Sequence, residues 1–390
     1  MRFPCLHRIS LAACAAALGL APTSALADLP PYAKVVTIAV VAPLSGTDKD
    51  TGIQLSAGVQ AAVNDANELR GITDFGWVMH SFDDLDDPGV AQQQAQFALV
   101  DTSTAFVIGH VAGQATLLSL PTYHQAQVPV IVPTSPLAAI TQQNYNNVFR
   151  LCPTDVNEGQ QDARYAARTL KASRVAVLYE EDDYGVDGAQ GFMNQAARGP
   201  MAAKDFAVDV QLKNIGGVAA AVKAFAPSLV FVAGRPDVMT RAIKALGAAG
   251  VAAPLLGTQA FADAGLLASL GSAAAGMTVS SCQPPIQLMP TSQIFVQRYQ
   301  SQYGKLTSFA LFGYVAGQVA IDAAQQTRTT DRATLDRALS VGTFQTVIGP
   351  ISFQQNGDPA NPYLYMYAYT ANTLKYAGTA SGIPNPLIVH

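Results

Sequence analysis

Short runs of β-branched and apolar residues alternate with longer amphipathic stretches along almost the whole chain, beginning with Val35-Val36-Thr37-Ile38-Ala39-Val40-Val41-Ala42. Runs that are apolar at every position belong to strands buried on both faces, and their alternation with helical periodicity is the pattern of βαβ units around a parallel sheet. The spacing predicts strands at 35–42, 76–82, 105–109, 130–132, 174–179, 207–211, 229–232, 255–257 and 277–280. Between them it predicts helices at 52–67, 89–100, 115–124, 159–170, 188–197, 218–225 and 236–246. Two such series, before and after about residue 150, imply an α/β fold of two similar doubly wound lobes. The pattern then changes: 292–341 reads as helical, with Phe295, Tyr299, Phe309, Phe312 and Tyr314 supplying apolar faces, and strands return at 343–353 and 364–369. No low-complexity tract stands between the series, so short crossovers rather than a flexible tether join the lobes.

The first ten residues carry Arg2 and Arg8 and no acid, 11–21 are almost wholly apolar, and Ala25 and Ala27 supply the small residues of a cleavage site. This is read as an export leader cleaved after Ala27, with Asp28 opening the mature chain. Leu11-Ala12-Ala13-Cys14 has the order of a lipidation site, but most of the apolar run follows that cysteine instead of preceding it. No later segment offers the roughly 18 unbroken apolar residues of a membrane span, so the expectation is a soluble periplasmic protein. Removing the leader leaves about 360 residues, more than one core usually supports.

Composition narrows the chemistry. A net charge of −4 argues against a nucleic-acid surface. Cys5 and Cys14 leave with the leader, and the remaining pair, Cys152 and Cys282, is compatible with one bridge or with two free buried thiols. His7 and His390 lie at the ends, while His80, His110 and His124 share no zinc-ligand spacing. Nucleophile-elbow and Walker patterns are absent, so the chain is read as neither an enzyme nor a binder of metal or cofactor. The acidic run Asp83-Asp84-Leu85-Asp86-Asp87-Pro88 lacks the glycine and distal glutamate of a calcium loop. Asp87 before Pro88 fits a helix N-cap with proline at the first helical position.

Several motifs recur in a telling order: Pro43-Leu44-Ser45-Gly46, Asp83-Asp84 with Asp87-Pro88, Ile108-Gly109, Val132-Pro133-Thr134-Ser135, Asp183-Tyr184-Gly185 and Ala248-Ala249-Gly250. Gly349-Pro350 with Phe353, Gly357 and Asp358 completes the series. Together they resemble the leucine/isoleucine/valine-type periplasmic binding proteins of ABC importers, over nearly the whole mature chain. The resemblance implies two lobes, 28–151 plus 283–349 and 152–282 plus 350–390, joined by crossovers near 151–155, 280–284 and 348–352. It also implies a monomer that closes on a small ligand, amino acids being the family's class, and delivers it to an inner-membrane ABC permease without cofactor or metal. Carried over residue by residue, it assigns Thr51, Gly113, Gln114, Thr134, Ser135 and Pro136 to the first-lobe wall of the cleft. Tyr184, Arg235 and Gln259 are assigned to the second. Cys152 and Cys282 fall on adjacent crossovers, where the resemblance implies a bridge.

Departures from the family's amino acids matter as much. Gly113 and Pro136 stand where hydroxyls commonly meet a ligand carboxylate, and Gln259 stands where an acid often meets the ligand ammonium. A neutral amide cannot form that ion pair, although Asp183 or Asp263 could substitute. Arg235, where the family often has an aromatic residue, either grips a carboxylate bidentately or is a solvated charge beside the Pro236 helix start. The expectation is a cleft favouring an anionic or weakly polar ligand over a zwitterion. The alternatives are a ligand outside the amino acids (a carboxylate, an amide, an aromatic or an apolar molecule such as a lipid) and a sensory module presenting its closed form to a membrane receptor.

Overall fold

The computed structural model of the protein describes residues 34–68 and 75–389. The leader, its cleavage site after Ala27 and Cys14 lie outside the described residues. The first series runs β1 (Lys34–Ala42), α1 (Lys49–Glu68), β2 (Phe75–Asp83), α2 (Pro88–Phe97), β3 (Thr104–Gly109), α3 (Gly113–Gln125), β4 (Val130–Val132), α4 (Ala139–Gln142) and β5 (Val148–Arg150). Its strands form one parallel sheet in the order β2-β1-β3-β4-β5. The fully buried positions of β1 and β3 are Val, Ile, Ala, Phe and Thr, which fill the pleat on both faces.

The second series runs α5 (Asp155–Arg168), β6 (Arg174–Glu180), α6 (Asp183–Ala196), β7 (Ala202–Val208), α7 (Ile215–Phe225), β8 (Leu229–Ala233), α8 (Pro236–Ala248), β9 (Leu255–Gly257), α9 (Ala264–Ser269) and β10 (Thr278–Ser281). Then come α10 (Gln293–Tyr303), α11 (Ser308–Thr327) and α12 (Arg332–Val341), followed by β11 (Phe344–Thr346), β12 (Gly349–Ile351), β13 (Tyr365–Thr370) and β14 (Thr373–Thr379). Helices α10 to α12 pack with α1 in the first lobe's core, whereas β13 and β14 extend the second sheet, ordered β14-β13-β10-β9-β8-β6-β7. The result is two doubly wound lobes with an antiparallel pair at one edge of the second. Among the described residues no single helix is long and apolar enough to cross a membrane.

The structure corrects several element boundaries. The strand expected at 207–211 is β7, earlier by several residues. As an edge strand paired only with β6, it exposes Lys204 and Asp205 and so lacks the apolar run of a central strand. Its expected second half is a turn in which Asp209 accepts from the backbone N–H groups of Gln211 and Asn214. The strand expected at 343–353 is the short hairpin of β11 and β12. Strands β5 and β14 were not predicted, the first because it has three residues and the second because it alternates exposed and half-buried positions. Helices α5 and α6 begin at Asp155 and Asp183 rather than at 159 and 188, because Thr154 and Asp182 cap them. Asp87 caps α2 as expected, accepting from Gly89 and Val90 N–H at 2.8 and 2.9 Å.

Where the chain passes between lobes, Cys152 and Cys282 form a disulfide with their Cα atoms 5.8 Å apart. After β12 the chain touches the first lobe again: Phe353 packs on Phe149, and Asp358 pairs with Arg150.

Candidate functional site

Two walls of different chemistry meet between the lobes. The first is built at the C-terminal ends of β3 and β4. Ala112, at the N-cap of α3, provides no side-chain cap, and the first bond into the helix is from Thr116 N–H to the Ala112 carbonyl. The earlier N–H groups of that turn therefore point out with the positive end of the helix dipole. Beside them, after β4, the Thr134 and Ser135 hydroxyls are buried and have no hydrogen-bond partner. A Cβ on Gly113 would lie 2.9 Å from Leu137 Cβ and 3.2 Å from Ser135 Oγ, so this position excludes a side chain unless Leu137 moves.

Arg150 holds this wall from behind. Its side chain is fully buried and donates to the Ser135 and Leu137 carbonyls, both at 2.9 Å, to Thr141 Oγ1 at 2.9 Å, and to Asp358 Oδ1 at 3.0 Å. Burial pulls the guanidinium below its ordinary pKa and the Asp358 charge opposes that pull. The arginine thus fixes the 135–141 loop while its own charge is neutralised.

The second wall is acidic, and its acids come from α5. Asp155, Glu158 and Asp162 stand at helical spacing on one face, and all three are buried. This helix lies almost backbone to backbone on α6, where Gly159 and Gly191 permit the approach: a Cβ on either would stand 2.1 Å from a carbonyl oxygen of the other helix. Glu158 Oε1 accepts from Gln259 N–H at 2.6 Å and from Ser280 Oγ at 2.8 Å, and Ser280 Oγ also reaches Asp162 Oδ2 at 3.0 Å. Glu158 Oε2, Asp155 Oδ1 and Asp162 Oδ1 have no partner. Burial pushes the Glu158 carboxyl up to about 7 against the opposing hydrogen bonds from Gln259 and Ser280. Burial first, and then the Glu158 charge, also raises Asp155 and Asp162. Tyr184, at the start of α6, donates its hydroxyl to Thr258 Oγ1 at 2.8 Å. Burial, followed by the Glu158 and Asp155 charges, pushes that phenol upward.

The walls touch. Gln114 Nε2 donates to Asp183 Oδ2 at 2.8 Å, and the Ala138 backbone N–H serves the Asp187 carboxylate. Of the residues expected in the cleft, Gly113, Gln114, Thr134 and Ser135 gather on the first wall and Tyr184 and Gln259 on the second. The Pro136 carbonyl accepts from Asp155 N–H at 3.0 Å, so it supports the junction of the two. Thr51 sits on the first turn of α1, its hydroxyl on the Asp48 carbonyl at 2.7 Å.

Arg235 stands half exposed at the N-cap of α8, beside Pro236, and is also ion-paired. Its guanidinium, half exposed, donates to Glu180 Oε1 at 2.5 and 3.1 Å, its backbone N–H goes to Glu180 Oε2 at 2.8 Å, and Asp182 lies 3.4 Å away. Glu180 is fully buried, so Arg235 neutralises an interior acid. The two acids considered as substitutes at Gln259 are also engaged. Asp183 accepts from Gln114, and Asp263 caps α9 through Leu266 N–H at 2.6 Å. Glu158 and Asp155 precede the helix start expected at 159 and so were not among the expected site residues. Their i, i+3 spacing beyond a Thr cap was the signal that could have found them.

The model of the periplasmic binding protein family matches residues 35–373. The Leu/Ile/Val-binding protein of Citrobacter freundii is 24% identical over 328 residues, covering 84% of this chain and 89% of that protein. Among solved structures, an ABC transporter substrate-binding protein from Desulfitobacterium hafniense in complex with Leu superposes with a TM-score of 0.76 at 24% identity, covering 88% of this chain and 100% of the other. A solute-binding protein from R. palustris in complex with benzoate gives 0.73 at 20% identity, covering 91% and 99%.

Proposed function

The chain belongs to the periplasmic binding protein family, and on that premise we propose that it is the solute-binding component of an ABC importer, closing its lobes on a small carboxylate-bearing ligand. The observation that carries the reading is the first wall. Two buried hydroxyls without partners, Thr134 and Ser135, stand beside an uncapped helix start, which is an arrangement suited to an anion. A ligand carboxylate seated there would satisfy those groups, while the remainder of the ligand meets Tyr184 and Gln259. Because such a ligand interacts with both lobes only when they are closed, binding shifts the open/closed population without covalent chemistry. The names of the similar proteins support amino acids as the ligand class.

Several finer statements belong to the same reading. The protein is exported, cleaved after Ala27, monomeric, free of nucleic acid, and docks on an inner-membrane permease. Its lobes are 28–151 plus 283–349 and 152–282 plus 350–390, with 353–358 of the latter returning to pack on the first. Mass spectrometry of the exported protein is expected to give Asp28 as the first residue. Calorimetry with L-leucine, L-valine and benzoate tests the binding itself. At least one is expected to bind, L-leucinamide is expected not to, and Ser135→Ala should weaken binding by about 1.5–3 kcal/mol, the range for a hydrogen bond to a charged group. Absence of binding by all three carboxylates, or equal binding of the amide, would overturn the reading.

A further inference from the structure

We propose that Asp358 is a positioning residue for ligand binding: through Arg150 it couples the third crossover between the lobes to the loop that carries Thr134 and Ser135. It rests on the carboxylate-binding reading of that wall and names what ties the wall to the hinge.

After β12 the chain does not pass directly to the second sheet. Residues 352–360 first close on themselves as a small hairpin: Ala360 N–H donates to the Ser352 carbonyl at 2.9 Å, Gln354 N–H to the Asp358 carbonyl at 2.7 Å, and Gly357 N–H to the Gln354 carbonyl at 2.9 Å. Phe353 and Pro359 form an antiparallel bridge between its arms. This hairpin docks on β5, the edge strand of the first sheet. Arg150 N–H donates to the Gly357 carbonyl at 2.8 Å, and Phe353 packs on Phe149. The approach is so close that a Cβ on Gly357, whose φ is +86°, would stand 1.9 Å from the Val148 carbonyl oxygen. Beyond the hairpin the chain runs on to β13 in the second sheet.

Asp358 is the acid of this hairpin. Its Oδ1 accepts from Arg150 Nε at 3.0 Å and from Thr141 Oγ1 at 2.8 Å, and its Oδ2 accepts from Asn356 Nδ2 at 2.9 Å. Arg150 in turn donates to Thr141 Oγ1, which closes a ring of three side chains, and gives Nη1 to the Ser135 and Leu137 carbonyls. One guanidinium therefore separates Asp358 from the backbone of Ser135, whose buried hydroxyl has no hydrogen-bond partner. The Arg150 charge is also felt by Asp155 at the end of the first crossover. Cys152, two residues after Arg150, is bridged to Cys282 of the second. All three crossovers thus converge on the surroundings of one buried cation, and a buried cation takes its orientation from its acids. A neutral side chain at 358 leaves Asp155 as the remaining acid, which draws the guanidinium, and the two carbonyls it holds, toward the second lobe. Because the hairpin continues into β13, displacement of that lobe bears on Asp358 and reaches Ser135 through the same ring.

The test is calorimetry on the full mature chain with L-leucine, L-valine and benzoate, comparing the wild type with Asp358→Asn, Ser135→Ala and the double variant. For whichever carboxylate the wild type binds, D358N is expected to bind about threefold to thirtyfold more weakly, the range for a residue that modulates a site without touching its ligand. The double variant should lose less than the product of the two single losses, by about threefold or more, because both changes act through one loop. Asp358→Glu, which keeps the charge, should recover part of the loss. If D358N is less stable but binds as tightly as the wild type, or if the two losses simply multiply, the role of Asp358 is structural only and the assignment is overturned while the carboxylate reading stands. If D358N does not fold, amide hydrogen exchange on the wild type decides: ligand should slow exchange at Gln354 and Gly357 together with Ser135 and Leu137, and slowing at Ser135 and Leu137 alone overturns the assignment. Binding of none of the three carboxylates overturns both.

Discussion

The two walls of the cleft carry opposite chemistry: the first stands where β3 and β4 run into α3 and the 134–138 loop, the second on α5, which enters by a crossover from the first lobe, and on the start of α6. On the first wall the helix start is uncapped and its neighbours are small or hydroxylated, so the exposed character is that of backbone N–H donors. On the second wall three helix starts are capped, α5 by Thr154, α6 by Asp182 and α9 by Asp263, while α8 starts at Arg235 without a side-chain cap, and the acids of α5 are buried. The contrast teaches that an uncapped helix start presents N–H donors, whereas a capped one leaves the character of its wall to the side chains beyond the cap. The two arginines divide along the same line: Arg150 braces the donor wall from inside, and Arg235 neutralises Glu180 behind the acceptor wall.

The largest way to break the comparison is to remove the brace. Arg150→Met leaves Asp358 without its cation and two loop carbonyls without donors, and removing one partner of a buried pair typically costs about 3–5 kcal/mol. Chemical denaturation should show a loss of that order, and ligand affinity should fall as the 135–141 loop loosens. A loss below about 1 kcal/mol would mean that the loop is held by something other than Arg150.

The acceptor wall is sharpened by pH. Glu158 titrates at about 7 in the folded chain against an ordinary value of 4.5, so between those values the folded state holds the extra proton. Stability from this group therefore falls as pH rises from about 4.5 to about 7 and is level above that, by an amount on the order of a few kcal/mol. Urea unfolding at pH 5 and pH 8 should show E158Q losing less stability than the wild type across this window. Identical pH dependence in the two would place the Glu158 carboxyl in a wetter setting than the one described.

Much of this architecture was legible because buried parallel strands such as 35–42 and 229–232 are continuous apolar runs, a signal that survives without context. Edge strands β7 and β14 were misplaced or missed because exposure on one side lets polar residues such as Lys204 and Lys375 into the strand. At the site, the loop residues Thr134 and Ser135 and the helix start at Gly113 were assigned through the family resemblance. The acids of α5 were not legible because they precede the helix start expected at 159, and it is the packing of α5 onto α6 and β10 that turns Glu158 inward. The Arg235 ion pair was not legible because its partner Glu180 is the last residue of β6, distant in sequence and brought close by sheet order alone.

A smaller effect tests whether the donor wall depends on the absence of a side chain. Gly113→Ser would restore a hydroxyl of the family's kind, but its Cβ would arrive 2.9 Å from Leu137 Cβ and 3.0 Å from Leu137 Cδ2. Overpacking of this sort typically costs about 1–3 kcal/mol, and the shift of Leu137 would disturb the neighbouring Ser135. The expected outcome is lower thermal stability and weaker ligand binding. A serine variant that is as stable as wild type and binds more tightly would show that the wall has room the structure does not display.

The smallest effect concerns the contact between the walls. Gln114 is exposed and its amide meets the Asp183 carboxylate across the cleft, alongside the Ala138 contact to Asp187. An exposed bond of this kind is worth about 0.5–1.5 kcal/mol, enough to change an open/closed ratio about twofold to tenfold. Gln114→Ala should therefore open the ligand-free protein slightly, seen as a larger radius of gyration by small-angle scattering, and weaken binding by no more than about tenfold. Lobe closure by the ligand should remain, since the ligand's own contacts with the two walls supply the larger part of the differential affinity. If the variant binds more tightly than wild type, the contact is a competitor for the ligand's place and the two walls meet in a form that ligand must first displace.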